Sequence, residues 1–173
     1  MTDAKHPLAL STALTTHTNA LARGLESGAA DLLELVTPTT AELLHWWFGQ
    51  DMVDARGGLN FHAGQKQAIL NAIVAHEVLG ATHLKDLYQQ VAPDALLVGT
   101  RLAEVSAPNH AHPKYCFKMA TGTGKTGVLQ ALLIRCAANP AVQGRVKSAD
   151  GKAVLVVWIG FNAASAAARC TGE

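Results

Sequence analysis

The chain has 173 residues, 49% of them apolar and 16% charged, a balance that supports a buried core and excludes a disordered chain. Net charge is +1, which says little about partners; residues 1–60 carry three basic and seven acidic side chains, residues 61–173 eleven and six, so the second part is mildly basic, as suits phosphates or nucleic acid. Cys116, Cys136 and Cys170 are odd in number and lack C-x-x-C spacing, which argues for a reducing compartment and against a disulfide framework.

The first 36 residues are rich in Ala, Leu, Ser and Thr, with a helix end expected around residues 31–35. Thr37-Pro38 reads as a break. Thr39-x-x-Glu42 has the form of a capping box, and Leu43, Leu44, Trp47 and Phe48 follow at helical spacing until Gly49 stops the helix. Trp46 and Trp47 read as one core residue beside one partly exposed neighbour. Residues 51–58 form a polar, glycine-containing link. A second helix is expected over residues 61–79, with Ile69, Ala72, Ile73, His76 and Leu79 on one face and Gly80 just past its end.

Residues 81–113 are less regular, with a short helix expected over residues 84–91. Lys114-Tyr115-Cys116-Phe117-Lys118 reads as a short strand. It leads into Met119-Ala120-Thr121-Gly122-Thr123-Gly124-Lys125-Thr126, the most informative stretch of the chain. A helix comes next with Val128, Leu129, Leu132, Leu133 and Cys136 on one face, ending before Pro140. Residues 143–152 form a polar loop, and residues 154–159 read as a buried parallel strand. That run is also the longest apolar one and is too short to cross a bilayer. No basic start followed by an apolar stretch opens the chain, so the cytoplasm is the expected compartment. The end, residues 163–173, is alanine-rich.

Strand, glycine turn and helix N-terminus together bring backbone N–H groups around an anion. Gly122 and Gly124 let the backbone curl and approach a phosphate with no Cβ in the way. Thr121 and Thr123 complete the loop, Lys125 would reach the β- and γ-phosphates, and the Thr126 hydroxyl would sit on Mg²⁺. The first position of the usual G-x-x-x-x-G-K-[ST] pattern is Met119 rather than glycine, while G-T-G-K-T is intact. The fold expected from this reading is α/β: a partial P-loop (RecA-like) lobe with a parallel sheet and a right-handed crossover, preceded by a helical N-terminal region.

A second motif, Phe61-His62-Ala63-Gly64-Gln65-Lys66-Gln67-Ala68-Ile69, lies upstream. Together with M-A-T-G-T-G-K-T it resembles the opening of superfamily 2 helicases, and most of all the helicase-like subunits of type III restriction enzymes and their DEAD/DEAH-box relatives. The resemblance implies that Gln65 reads the adenine edge of ATP, a task suited to an amide that can donate and accept at once. It implies ATP and Mg²⁺ as cofactors, DNA as a partner, and association with a methyltransferase or specificity subunit. On this basis the chain divides into a helical extension (1–58), an incomplete ATP-binding lobe (59–162) with an insertion (80–113), and an alanine-rich tail (163–173).

The chain departs from that family downstream of the loop. A Mg²⁺-holding D-E-x-H or D-E-x-D motif is expected at the end of a later strand, but residues 154–159 run into Gly160-Phe161-Asn162. The arginine finger and second lobe are missing as well. The expectation is thus an ATP-binding front end of a DNA-dependent helicase or translocase, truncated and inactive in hydrolysis by itself. Two alternatives stand beside it. One is a small P-loop kinase or NTPase unrelated to helicases, for which Asp94, Glu104 and Asp150 are the nearby carboxylates and none ends a strand. The other is a non-catalytic remnant or interaction protein. His110, His112 and Cys116 read as a solvated loop rather than a zinc site. His76-Glu77 lacks the second histidine of H-E-x-x-H. No nucleophile elbow is present, and His62 reads as a cap or surface residue.

Overall fold

The computed structural model describes residues 8–97, 119–120 and 122–139. Ala9–Leu21 form α1, followed by a 3₁₀ turn at Leu25–Ser27. Leu32–Leu35 form the short α2, Pro38–Phe48 α3 and Gln50–Ala55 α4. Ala63–Ile73 form α5, which runs on as a π-helical turn over Val74–Val78. Leu84–Val91 form α6, Pro93–Leu97 α7 and Lys125–Ala138 α8.

Local chemistry sets the boundaries. Thr37, extended at φ −64° and ψ 152°, caps α3: its hydroxyl oxygen accepts from the Thr40 N–H at 3.4 Å. Pro38 occupies the first helical position, where its missing N–H costs nothing. The cap is therefore Thr37 rather than Thr39. The polar link expected at residues 51–58 is in part helix, as α4 begins directly after Gly49 and its Gln50 side chain donates to Asp54 at 2.7 Å, one turn on. Gly80 follows the end of the α5–π segment in the left-handed region, as its position past the last apolar residue implied. The last helix ends at Ala138, before Pro140.

Among the described residues 72% are helical and none lies in a strand, so the α/β reading with a parallel sheet is corrected: this part of the chain is a helical assembly. The apolar faces close on one another rather than on a sheet. Leu25, Leu32, Leu44, Trp47, Phe48, Ile69, Leu70, Ile73, Val74, Val128 and Ala131 form one core, drawn from both sides of residue 58. The helix α5 packs against α1 and α8, and α3 also reaches α8. A smaller cluster of Ala75, Ala81 and Leu87, covered by Leu10 and Leu14, seats α6 against α1. The runs read as strands at 114–118 and 154–159 lie outside the described residues, as do His110, His112, Cys116, residues 143–152 and the alanine-rich end.

The buried face of α8 also differs from expectation. It is made by Val128, Ala131 and Arg135, while Leu133 is 39% exposed. An arginine can occupy that stripe because a carboxylate meets it there: Arg135 pairs with Glu77, and the side chains are 3% and 7% exposed. The π turn makes this possible. One extra residue per turn rotates the chain relative to a regular helix, and Val74, Ala75 and His76 are buried in succession ahead of Glu77. Among the described residues no helix is long and apolar enough to cross a membrane.

Candidate functional site

The site is built where the first turn of α5 meets the loop that leads into α8. Phe61 fixes the entry to α5. Its ring lies 6.4 Å from that of Trp47 and 5.8 Å from that of Phe48, so the residue before the cap is held in the aromatic part of the core. Lys66, one turn into α5, stands over the Phe48 ring at 5.3 Å and pairs with Glu26. That hydrogen bond from Lys66 leads the causes that hold the Glu26 carboxyl below its ordinary range.

His62 and Gln65 form a reciprocal capping box. The Gln65 N–H donates to His62 Nδ1 at 3.4 Å, and the His62 N–H donates to Gln65 Oε1 at 3.0 Å. Both side chains then reach on to the loop. The Gln65 amide donates through Nε2 to the Gly124 carbonyl at 2.9 Å, and His62 Nε2 contacts the Thr123 carbonyl at 2.8 Å. Since Nδ1 of His62 accepts, Nε2 carries the proton and donates.

The loop itself is curled. Gly122 and Gly124 sit at φ +78° and +65°, a region costly for any residue with a side chain. At Gly124 the need for glycine is twofold, because a Cβ there would stand 2.3 Å from Gln65 Nε2. Lys125 folds back over the loop, its ammonium donating to the Ala120 carbonyl at 2.7 Å, and the Thr123 hydroxyl donates to the same oxygen at 2.7 Å. Thr126 is exposed as the second residue of α8. Of the loop residues singled out from sequence, Gly122, Thr123, Gly124, Lys125 and Thr126 are thus gathered at the start of one helix with Gln65 against them. Thr121 lies outside the described residues.

Beside Gln65 opens a cleft of about 370 Å³ lined by Trp46, Trp47, Arg56, Leu59, Asn60, Phe61 and Gln65. Its volume falls within the range of small-molecule sites, about 300–1,000 Å³. Trp46 is 54% exposed, whereas Trp47 is 6% exposed and belongs to the core. Arg56 holds this wall together. It lies over the Trp46 ring at 5.4 Å and donates to the carbonyls of Trp46 at 2.5 Å and Trp47 at 3.1 Å. Sequence reasoning missed Arg56, which lies in the segment 51–58 read as a link, and Leu59 just after it. The aromatic pair at Trp46 was the one signal pointing to this wall.

A second polar cluster lies at the far end of α8. The Glu77 carboxylate accepts from the Thr37 N–H at 2.5 Å, from the Thr40 hydroxyl at 2.9 Å and from Arg135. Asn139 donates to the hydroxyl oxygens of Thr37 at 2.5 Å and Thr40 at 3.0 Å, and Arg135 reaches His76 Nδ1 at 3.4 Å. Burial alone would raise the Glu77 pKa, but the hydrogen bonds from Arg135 and Thr37 outweigh it and hold the carboxyl below its ordinary range. Cys136 next to this cluster is shifted the other way, as burial disfavours its thiolate. Among the described residues no three His, Cys, Asp or Glu side chains gather as a metal site.

Comparison of the chain with models of protein families, with characterised proteins and with solved structures returns no match.

Proposed function

We propose that the protein binds a nucleoside triphosphate, with ATP as the expected ligand, at the loop 119–126 and the cleft beside it. The observation that carries this reading is the place of Gln65. It lines the aromatic cleft and at the same time touches Gly124 of the glycine loop, so a site for a base and a site for phosphates adjoin at one side chain. A glutamine amide has two N–H groups and two carbonyl lone pairs. Gln65 uses one donor on Gly124 and one lone pair on His62, which leaves one of each for the edge of an adenine. Trp46, on the open wall of the cleft, offers a face on which a base could stack.

The residues fit the phosphates as well. A curled glycine loop at a helix N-terminus favours an anion through its N–H groups and the helix dipole. Lys125 would exchange the Ala120 carbonyl for phosphate oxygens, a stronger charge-assisted partner. The Thr126 hydroxyl is exposed where Mg²⁺ would be held with the phosphates. The resemblance to superfamily 2 helicases supports a role in a DNA-dependent motor of restriction-enzyme type, and hydrolysis would need a carboxylate on Mg²⁺.

Calorimetry with Mg-ATP tests the reading. The unaltered protein should bind, and Lys125→Ala should lose detectable binding while melting at an unchanged temperature. Equal affinity in the two proteins would refute the site.

A further inference from the structure

We propose that His62 is a positioning residue: it sets the direction of the loop's amide groups and so prepares the loop for a phosphate. This rests on the nucleotide-binding reading for its ligand, though not for its geometry. The side chains of His62 and Gln65 hold two consecutive loop carbonyls, those of Thr123 and Gly124. In a trans peptide the C=O and the following N–H point in opposite directions, and the described chain has no cis bond. Tying the Thr123 carbonyl to α5 therefore turns the Gly124 N–H away from α5. The Gly124 carbonyl also accepts from the Gly127 N–H at 2.9 Å in the first turn of α8, so helix and Gln65 together direct the Lys125 N–H, whereas the Gly124 N–H depends on His62. Two donors are aimed to one side of the loop by two acceptors secured on the other.

The His62 ring is suited to this double task by its two nitrogens. Nδ1 accepts the Gln65 N–H and caps α5, while Nε2 donates to Thr123 about one ring-width further on. A shorter capping side chain performs only the first of these. Asparagine and serine are good N-caps, yet neither extends to the second contact. Substitution by them separates the stability of α5 from the order of the loop.

The test compares the full-length protein with His62→Asn, and with His62→Ser should the first fail to fold. Backbone ¹⁵N relaxation without nucleotide reads the loop directly. The heteronuclear NOE of Gly122, Gly124 and Lys125 should fall in the variant, while that of α5 stays at its original level. Unchanged values in the loop would overturn the proposal. Mg-ATP binding, measured in parallel, should weaken about fivefold, the equivalent of one hydrogen bond of about 1 kcal/mol. A loosened loop with undiminished affinity would also overturn it. Should the unaltered protein bind no Mg-ATP at all, the nucleotide reading falls, and the relaxation data alone still decide whether His62 orders the loop.

Discussion

Arg135 donates to the Glu77 carboxylate in a nearly dry setting, joining the last turns of α8 to the π turn that ends α5. Thr37 and Thr40 at the start of α3 bind the same carboxylate, so three helices meet on one glutamate. Removing Arg135 leaves the buried carboxylate with its hydrogen bonds from Thr37 and Thr40 but without a countercharge. Arg135→Met should cost about 3–5 kcal/mol, read as a lower urea midpoint. The double variant Arg135→Met with Glu77→Gln should recover part of that loss. A single variant within about 0.5 kcal/mol of the original, the span usual for surface substitutions, would show that the pair does not hold the helices.

The same glutamate makes stability depend on acid. Its folded-state pKa lies below the ordinary value of 4.5, so the unfolded chain takes up the proton more readily. The stabilisation is complete above the ordinary value and is lost as pH falls through the depressed one. Thermal melts between pH 7 and pH 3 should show an acid-side decline that is shallower in Glu77→Gln. Parallel curves for the two proteins would assign the decline to other groups.

Gly124→Ala tests the contact between loop and helix. Its Cβ would meet Gln65 Nε2 at 2.3 Å, and the left-handed conformation itself costs about 1–2 kcal/mol with a side chain. The melting temperature should drop modestly and Mg-ATP affinity strongly, because Gln65 must leave both the loop and its place in the cleft. Full affinity in this variant would mean that the contact has no part in binding.

Trp46→Ala tests the cleft. The ring is exposed and its contact with Arg56 is worth about 0.5–1 kcal/mol at such a site, so stability should change little. Base stacking on an aromatic ring is worth about 1–3 kcal/mol, and adenosine nucleotides should bind about fivefold more weakly or worse. Retained affinity would place the base elsewhere.

The parts legible in the sequence were those governed by local rules. Gly80 and Pro140 marked helix ends because backbone conformation decides there, Gly49 marked one where a Cβ would meet the His45 carbonyl at 2.6 Å, and the glycine loop was visible because its residue types have few substitutes. The Thr37 cap was missed although Pro38 marks a first helical position, since Thr39 offered a competing pattern two residues on. Arg135 was invisible as a core residue, because its burial depends on Glu77, 58 positions away. The sheet was inferred from segments at 114–118 and 154–159, whereas the core of the described residues is made by helices whose mutual packing no short window reveals.

The interleaving of Leu32, Leu44 and Phe48 with Ile69 and Val128 has a further consequence. The glycine loop and its glutamine are not a portable cassette. Grafting residues from Asn60 onward onto another scaffold would leave the inner surface of α5 wetted and the aromatic support of Phe61 gone. Whatever chemistry is tuned at the loop is tuned through helices that begin at Ala9, and recombination among the described residues would have to exchange them together.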